Sequence, residues 1–180
     1  IVGQGNDTIH GGQGNDTVSF FEQEQHIDLD LNIGESSTVL LLDKFEAIYG
    51  TNFDDHIIGS NVNETIMGGS GNDTIHGGAG DDILGVGYIS QPYHRSSGGN
   101  NILYGGAGND ELTFNYWGAN SGWSYSDVFA NQGYGGTGND ELDFSDSPFA
   151  KGDGGAGNDS LIGEKITYFD GGIGNDTIEG

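Results

Sequence analysis

One nine-residue phrase governs this chain: Gly-Gly-x-Gly-Asn-Asp-x-aliphatic-x, recurring along nearly its whole length. It reads Gly11-Gly12-Gln13-Gly14-Asn15-Asp16-Thr17-Val18-Ser19 near the start and Gly171-Gly172-Ile173-Gly174-Asn175-Asp176-Thr177-Ile178-Glu179 at the end. A short period held in phase restricts a chain to small stacked units, because each unit can bury its apolar side only against its neighbours. Ten units are in frame, starting at Val2, Gly11, Gly50, Gly59, Gly68, Gly77, Gly105, Gly135, Gly154 and Gly171. The sixth position is Asp7, Asp16, Asp55, Asp73, Asp82, Asp110, Asp140, Asp159 and Asp176, and only Glu64 departs. The eighth is aliphatic in every unit, from Ile9 and Val18 to Leu161 and Ile178.

Glycines at positions one, two and four permit positive φ and close backbone approach, which a tight turn with inward-facing carbonyls requires. The last three positions read polar, aliphatic, polar, a very short strand with one buried side chain. Such a strand cannot stand alone, because one buried aliphatic group does not offset the ordering entropy of its whole unit. Stacking resolves this: two units form one coil with a turn on each side, and coils stack at about 4.8 Å. The aliphatics then form two facing ladders in a thin core, and the turns form two outer columns of carboxylates and carbonyls. Bare columns of aspartate repel one another. A hard divalent cation removes that repulsion, and a flexible all-oxygen site suits Ca2+ better than Mg2+.

The pattern resembles the RTX family of hemolysin-type nonapeptide repeats. The resemblance implies an all-β, right-handed parallel β-roll with Ca2+ in its turns and little or no helix. It also implies that each ion sits between turns two units apart on one side of the roll. The ligands it implies are the nine sixth-position aspartates, Asp7 to Asp176, together with backbone carbonyls of the turn glycines. Carried onto this chain, those glycines are Gly5, Gly14, Gly69, Gly71, Gly78, Gly80, Gly106, Gly108, Gly136, Gly138, Gly155, Gly157, Gly172 and Gly174. Turn 50–55 is expected to pair with 68–73, 59–64 with 77–82, 135–140 with 154–159, and 154–159 with 171–176. Turn 50–55 has lost two glycines, and turn 59–64 has lost its Asp as well, which weakens its site. Residues 144–153 and 163–170 fill half-coils without the glycine turn, so ions in the C-terminal part are expected mainly along one edge. Ser96 to Tyr104 fits as a degenerate unit, with Asn101 in the Asp slot and Leu103 in the aliphatic slot.

A single roll is expected over residues 1–180, with repeats at 2–19, 50–85, 96–113, 135–143, 154–162 and 171–179. Irregular coils or insertions fall at 20–49, 86–95 and 114–134. In the first of these, the alternating run His26 to Asn32 and the apolar run Val39 to Leu42 each read as a strand that continues the sheet. The other two are rich in aromatics: Tyr88, Tyr93, Phe114, Tyr116, Trp117, Trp123, Tyr125, Phe129 and Tyr134. These either cover the thin core, mediate self-association or stack on glycans.

The chain has 28 acidic and only four basic residues, a formal charge of −24. That composition predicts disorder without cations and folding coupled to metal binding. It also excludes nucleic acid, which needs a basic surface. There is no cysteine for disulfides or thiolate sites, and no apolar run long enough to span a membrane. The histidines fall on strand faces or in insertions, and neither a metalloprotease helix motif nor a nucleophile elbow is present. No enzymatic activity is expected. Extracellular calcium modules bind at about 10⁻⁴–10⁻³ M, so such a chain folds outside the cell, and type I secretion is implied by the resemblance. The expected role is a secreted or cell-surface structural or adhesive element. Because the frame reaches both termini, it is also expected to self-associate head to tail. The alternatives are a calcium-triggered folding and secretion module of an exported enzyme or toxin, or a glycan-binding module.

Overall fold

A computed structural model describes residues 7–32, 35–36, 39–41, 45–87, 99–114, 131–145, 147, 149–163 and 168–180. Gly5, the side chain of Asp7, and Tyr88, Tyr93, Tyr116, Trp117, Trp123, Tyr125 and Phe129 lie outside the described residues. Every regular element among the described residues is a β-strand, and no helix there is long and apolar enough to cross a membrane.

One sheet contains β1 (Asp7–Ile9), β3 (Asp28–Asp30), β4 (Glu35–Ser36), β5 (Val39–Leu41), β7 (His56–Ile58), β9 (Thr74–Ala79), β11 (Ile102–Ala107), β13 (Gln132–Thr137), β15 (Lys151–Ala156) and β17 (Tyr168–Asp170). The other contains β2 (Thr17–Ser19), β6 (Ala47–Tyr49), β8 (Thr65–Met67), β10 (Ile83–Gly85), β12 (Glu111–Thr113), β14 (Glu141–Phe144), β16 (Ser160–Gly163) and β18 (Thr177–Glu179). From β6 onward the chain alternates between sheets, and each strand pairs in parallel with the strand two further along. The result is a parallel β-roll.

The register aligns the eighth-position aliphatics as the period requires, and Leu29 and Ile48 of the irregular stretch join them. Ile48, Ile66, Leu84, Leu112, Leu142 and Leu161 stack in one sheet, and Leu29, Ile57, Ile75 and Leu103 in the other. All are fully or almost fully buried, and each contributes about 1.5–3 kcal/mol of burial free energy. Leu103 pairs with Ile75, so the described part of the degenerate unit, 99–104, keeps its aliphatic slot in the ladder.

Two departures shape the roll. Residues 20–49 form the two expected strands, but β3, β4 and β5 make an antiparallel meander, with β5 pairing in parallel to β1. The links between these strands are only a few residues long, which permits antiparallel hairpins and forbids a parallel crossover. The first sheet therefore carries three strands where the second carries β6 alone.

The second departure is in the core. Beyond Leu103, the aliphatic slots of the first sheet are Gly133 and Gly152. Phe114 and Phe144, each two residues past a ladder leucine, fill the vacated volume with rings stacked at 4.5 Å. A Cβ on Gly133 would lie 2.9 Å from Phe144 Cζ and 3.0 Å from Phe114 Cε2. These glycines serve packing, not a turn. Phe114 is thus a core residue. Tyr134 instead stacks outside, in a row His76–Tyr104–Tyr134 with ring centroids 4.4 and 4.9 Å apart.

Candidate metal centre

Turns 77–82, 105–110, 135–140, 154–159 and 171–176 all lead from the first sheet to the second, so they lie in one column, the aspartate edge. Asp16, Glu46 and Glu64 continue that column toward the N-terminus. The opposite edge carries Asp55 and Asp73, then Asn101, Asn131 and Ser147.

The Asn-Asp pair of each repeat builds two hydrogen-bond ladders of opposite sense. Along the buried one, the sixth-position N–H donates to Oδ1 of its counterpart one coil later. The steps run Glu64 to Asp82 (2.8 Å), Asp82 to Asp110 (2.9 Å), Asp110 to Asp140 (2.9 Å), Asp140 to Asp159 (2.9 Å) and Asp159 to Asp176 (3.0 Å). Along the exposed one, the fifth-position N–H donates to the counterpart one coil earlier: Asn109 to Asp81, Asn139 to Asn109, Asn158 to Asn139 and Asn175 to Asn158. Coils are thereby locked in register on both sides of each turn.

Most of these carboxylates leave one oxygen unused. Among the described residues, Oδ2 of Asp16, Asp73, Asp82, Asp110, Asp140 and Asp159 is buried and has no hydrogen-bond partner. A buried carboxylate oxygen without a partner is costly unless a cation sits against it. Burial pushes Asp73 up to about 7 and Asp110 and Asp140 up to about 6, with neighbouring carboxylates adding to the effect. Asp82 and Asp159 are raised for the same first reason.

The glycines divide their work. At positions two and four, Gly14, Gly69, Gly71, Gly78, Gly80, Gly106, Gly108, Gly136, Gly138, Gly155, Gly157, Gly172 and Gly174 all have positive φ. Position one does not. There a Cβ would strike the carboxylate itself: Gly77 lies against Asp82 Oδ2 and Gly105 against Asp110 Oδ2, at 2.5 Å each. Position one is glycine because the aspartate occupies the side-chain space, a reason distinct from the φ freedom expected for it.

The donor set fits Ca2+. Among the described residues no three His, Cys, Asp or Glu side chains converge, so carboxylates arrive one per turn and carbonyls must supply the rest. Position-two and position-four carbonyls lie in the same turns: Gly78 O and Gly80 O face Gly106 and Gly108, and Gly106 O and Gly108 O face Gly136 and Gly138. Oxygen-only and partly anionic among the described residues, such a turn suits a hard cation of flexible coordination.

The structure brings together all four expected turn pairs, as the Asp55–Asp73 contact (3.0 Å) and the ladder steps above record. It also joins 77–82 to 105–110 and 105–110 to 135–140, whose starts lie too far apart in sequence for one coil. Insertions hide those neighbours, although the motif resumes on the same edge after each. Sequence reasoning missed Glu46, which accepts the Asp16 N–H at 2.8 Å, and the amide column. There Asp73 N donates to Asn101 Oδ1, Asn101 N to Asn131 Oδ1, and Asn131 Nδ2 to Ser147 Oγ.

A sequence profile of the RTX calcium-binding nonapeptide repeat (four copies) matches residues 1–20, 58–87, 95–114, 153–165 and 168–180, a little over half of the chain. No curated protein matches the chain.

Proposed function

The chain belongs to the RTX calcium-binding nonapeptide repeat family, and from that premise we propose that it is a calcium-set structural or adhesive β-roll working outside the cell. The observation that carries this is the run of orphaned Oδ2 atoms at Asp82, Asp110, Asp140 and Asp159, successive turns of one edge, with Asp73 orphaned on the other. Each marks a turn that is incomplete without a cation. The chain's formal charge of −24 adds a second support, since bound Ca2+ relieves the self-repulsion of the compact state. Millimolar calcium outside the cell would hold the roll closed, whereas a low-calcium cytosol would leave it open for export by a type I route. The candidate ligands are Asp16, Asp73, Asp82, Asp110, Asp140, Asp159 and Asp176, with carbonyls of the position-two and position-four glycines. The chain would do mechanical work and no chemistry, and copies or neighbouring repeats would add coil upon coil in a surface layer or fibre.

Calcium titration followed by circular dichroism and light scattering in the same samples tests this. A cooperative gain of β-structure with growth in mass supports the surface element. The same gain at constant mass favours the calcium-triggered folding module of an exported protein instead. No structural response to calcium would sink both.

A further inference from the structure

The two degenerate turns, 50–55 and 59–64, close the same coil, one on each edge, between β6, β7 and β8. Both replace the position-two glycine with a hydroxyl residue, Thr51 or Ser60, and the position-four glycine with Phe53 or Val62. Among the described residues, neither Phe53 nor Val62 adopts the positive φ that the turn glycines have.

Their carboxylates differ from the six orphaned ones. Thr51 N donates to Asp55 Oδ2 at 2.6 Å and Thr51 Oγ1 to Asp55 Oδ1 at 2.8 Å, while Ile27 N adds a third bond at 2.9 Å. Ser60 N donates to Glu64 Oε2 at 3.0 Å, and Ser60 Oγ donates to Glu64 Oε1. All four side chains are buried: Thr51, Asp55, Ser60 and Glu64. The extra methylene of Glu64 brings its carboxylate back to its own turn, where the serine holds both oxygens. In each case donors from inside the turn reach both carboxylate oxygens, and for Asp55 the Ile27 N–H adds to them from outside it.

We propose that this coil is closed by hydroxyl plugs, Thr51 on Asp55 and Ser60 on Glu64, so that these two carboxylates take no calcium. A carboxylate that accepts two or more hydrogen bonds from fixed N–H and O–H dipoles is already compensated. A cation there would have to displace those donors. The coil beside the irregular β3–β5 meander thus keeps its turns closed at any calcium level, giving the metal-dependent coils on its C-terminal side a fixed register to stack upon. The assignment withdraws Asp55 from the ligand set expected from sequence. It rests on the proposed function, in which the orphaned aspartates hold Ca2+.

Calcium stoichiometry of the full chain tests it, measured by equilibrium dialysis at saturating Ca2+. Asp55→Asn and Glu64→Gln should leave the number of bound ions unchanged, whereas Asp110→Asn should lower it by about one. A fall with either Asp55→Asn or Glu64→Gln overturns the plugs. An unchanged count with Asp110→Asn as well would instead overturn calcium at the orphaned aspartates. Should the first two variants fail to fold, the double variant Thr51→Gly/Ser60→Gly serves. Removing both hydroxyls restores the glycine of an ordinary repeat turn and should raise the count or shift the calcium midpoint. An unaltered calcium isotherm for that variant, once folded, also overturns the proposal.

Discussion

The backbone N–H of Asp110 donates to Oδ1 of Asp140, 2.9 Å away and one coil further on. The other oxygen of each of these carboxylates is buried without a partner. One side chain therefore has two separable jobs, pinning the coil before it and, in the proposed function, holding a cation.

Asp140→Asn separates those jobs, since the amide oxygen still accepts the Asp110 N–H but the charge is gone. The calcium midpoint for folding should rise several-fold, because affinity follows ligand charge. Asp140→Ala should be worse by a further ~1–2 kcal/mol, because it strands the Asp110 N–H. Equal midpoints for the two variants in calcium-titrated circular dichroism would contradict this.

Acid should partly replace calcium. The folded-state values of Asp73, Asp110 and Asp140 are raised by burial to between about 6 and 7, against an unfolded value near 3.9. In chelator, the folded form therefore binds more protons than the unfolded form across this window. Its stability is greatest below about pH 4 and falls as pH rises through 6–7. The calcium-free chain should show more β-structure at pH 5 than at pH 7.5. The reverse order would show that the carboxylates are not buried together in that state.

Gly105→Ala places a methyl against Asp110 Oδ2 and Gly135 O, both 2.5 Å away. Gly105 does not have positive φ, so any loss comes from these two contacts, and only the one with the carboxylate bears on the cation. Calcium affinity should fall together with stability. A stability loss that leaves the calcium isotherm of the folded protein unaltered would refute that cause.

Gly133→Ala drives a methyl into the stacked rings of Phe114 and Phe144. Overpacking of this kind costs about 1–3 kcal/mol, and Phe144→Ala, which opens a cavity, about 3–5 kcal/mol. The double variant should cost less than the sum of the two, since the alanine occupies space the ring has left. Strict additivity in denaturant melts would rule out this complementarity.

By itself the sequence determined the repeating unit: turn, three-residue strand, one aliphatic inward and one carboxylate per turn. Those properties are local, because glycine's freedom, the Asn-Asp pair and the 2-residue alternation of a strand act within nine residues. The position-four glycines, the core ladder from Ile66 to Leu161 and the oxygen-only turns were legible on that basis. What only the tertiary structure decided depends on partners outside the unit. Asp82 meets Asp110 across 28 residues and Asp110 meets Asp140 across 30, distances that an eighteen-residue coil does not foretell. Phe144 fills the slot that Gly152 leaves, and Thr51 satisfies Asp55 where Asp73 has an empty-handed Oδ2. Stacking sets which carboxylates find donors and which need a cation, since hydrogen-bond satisfaction belongs to the assembled turn and not to the motif.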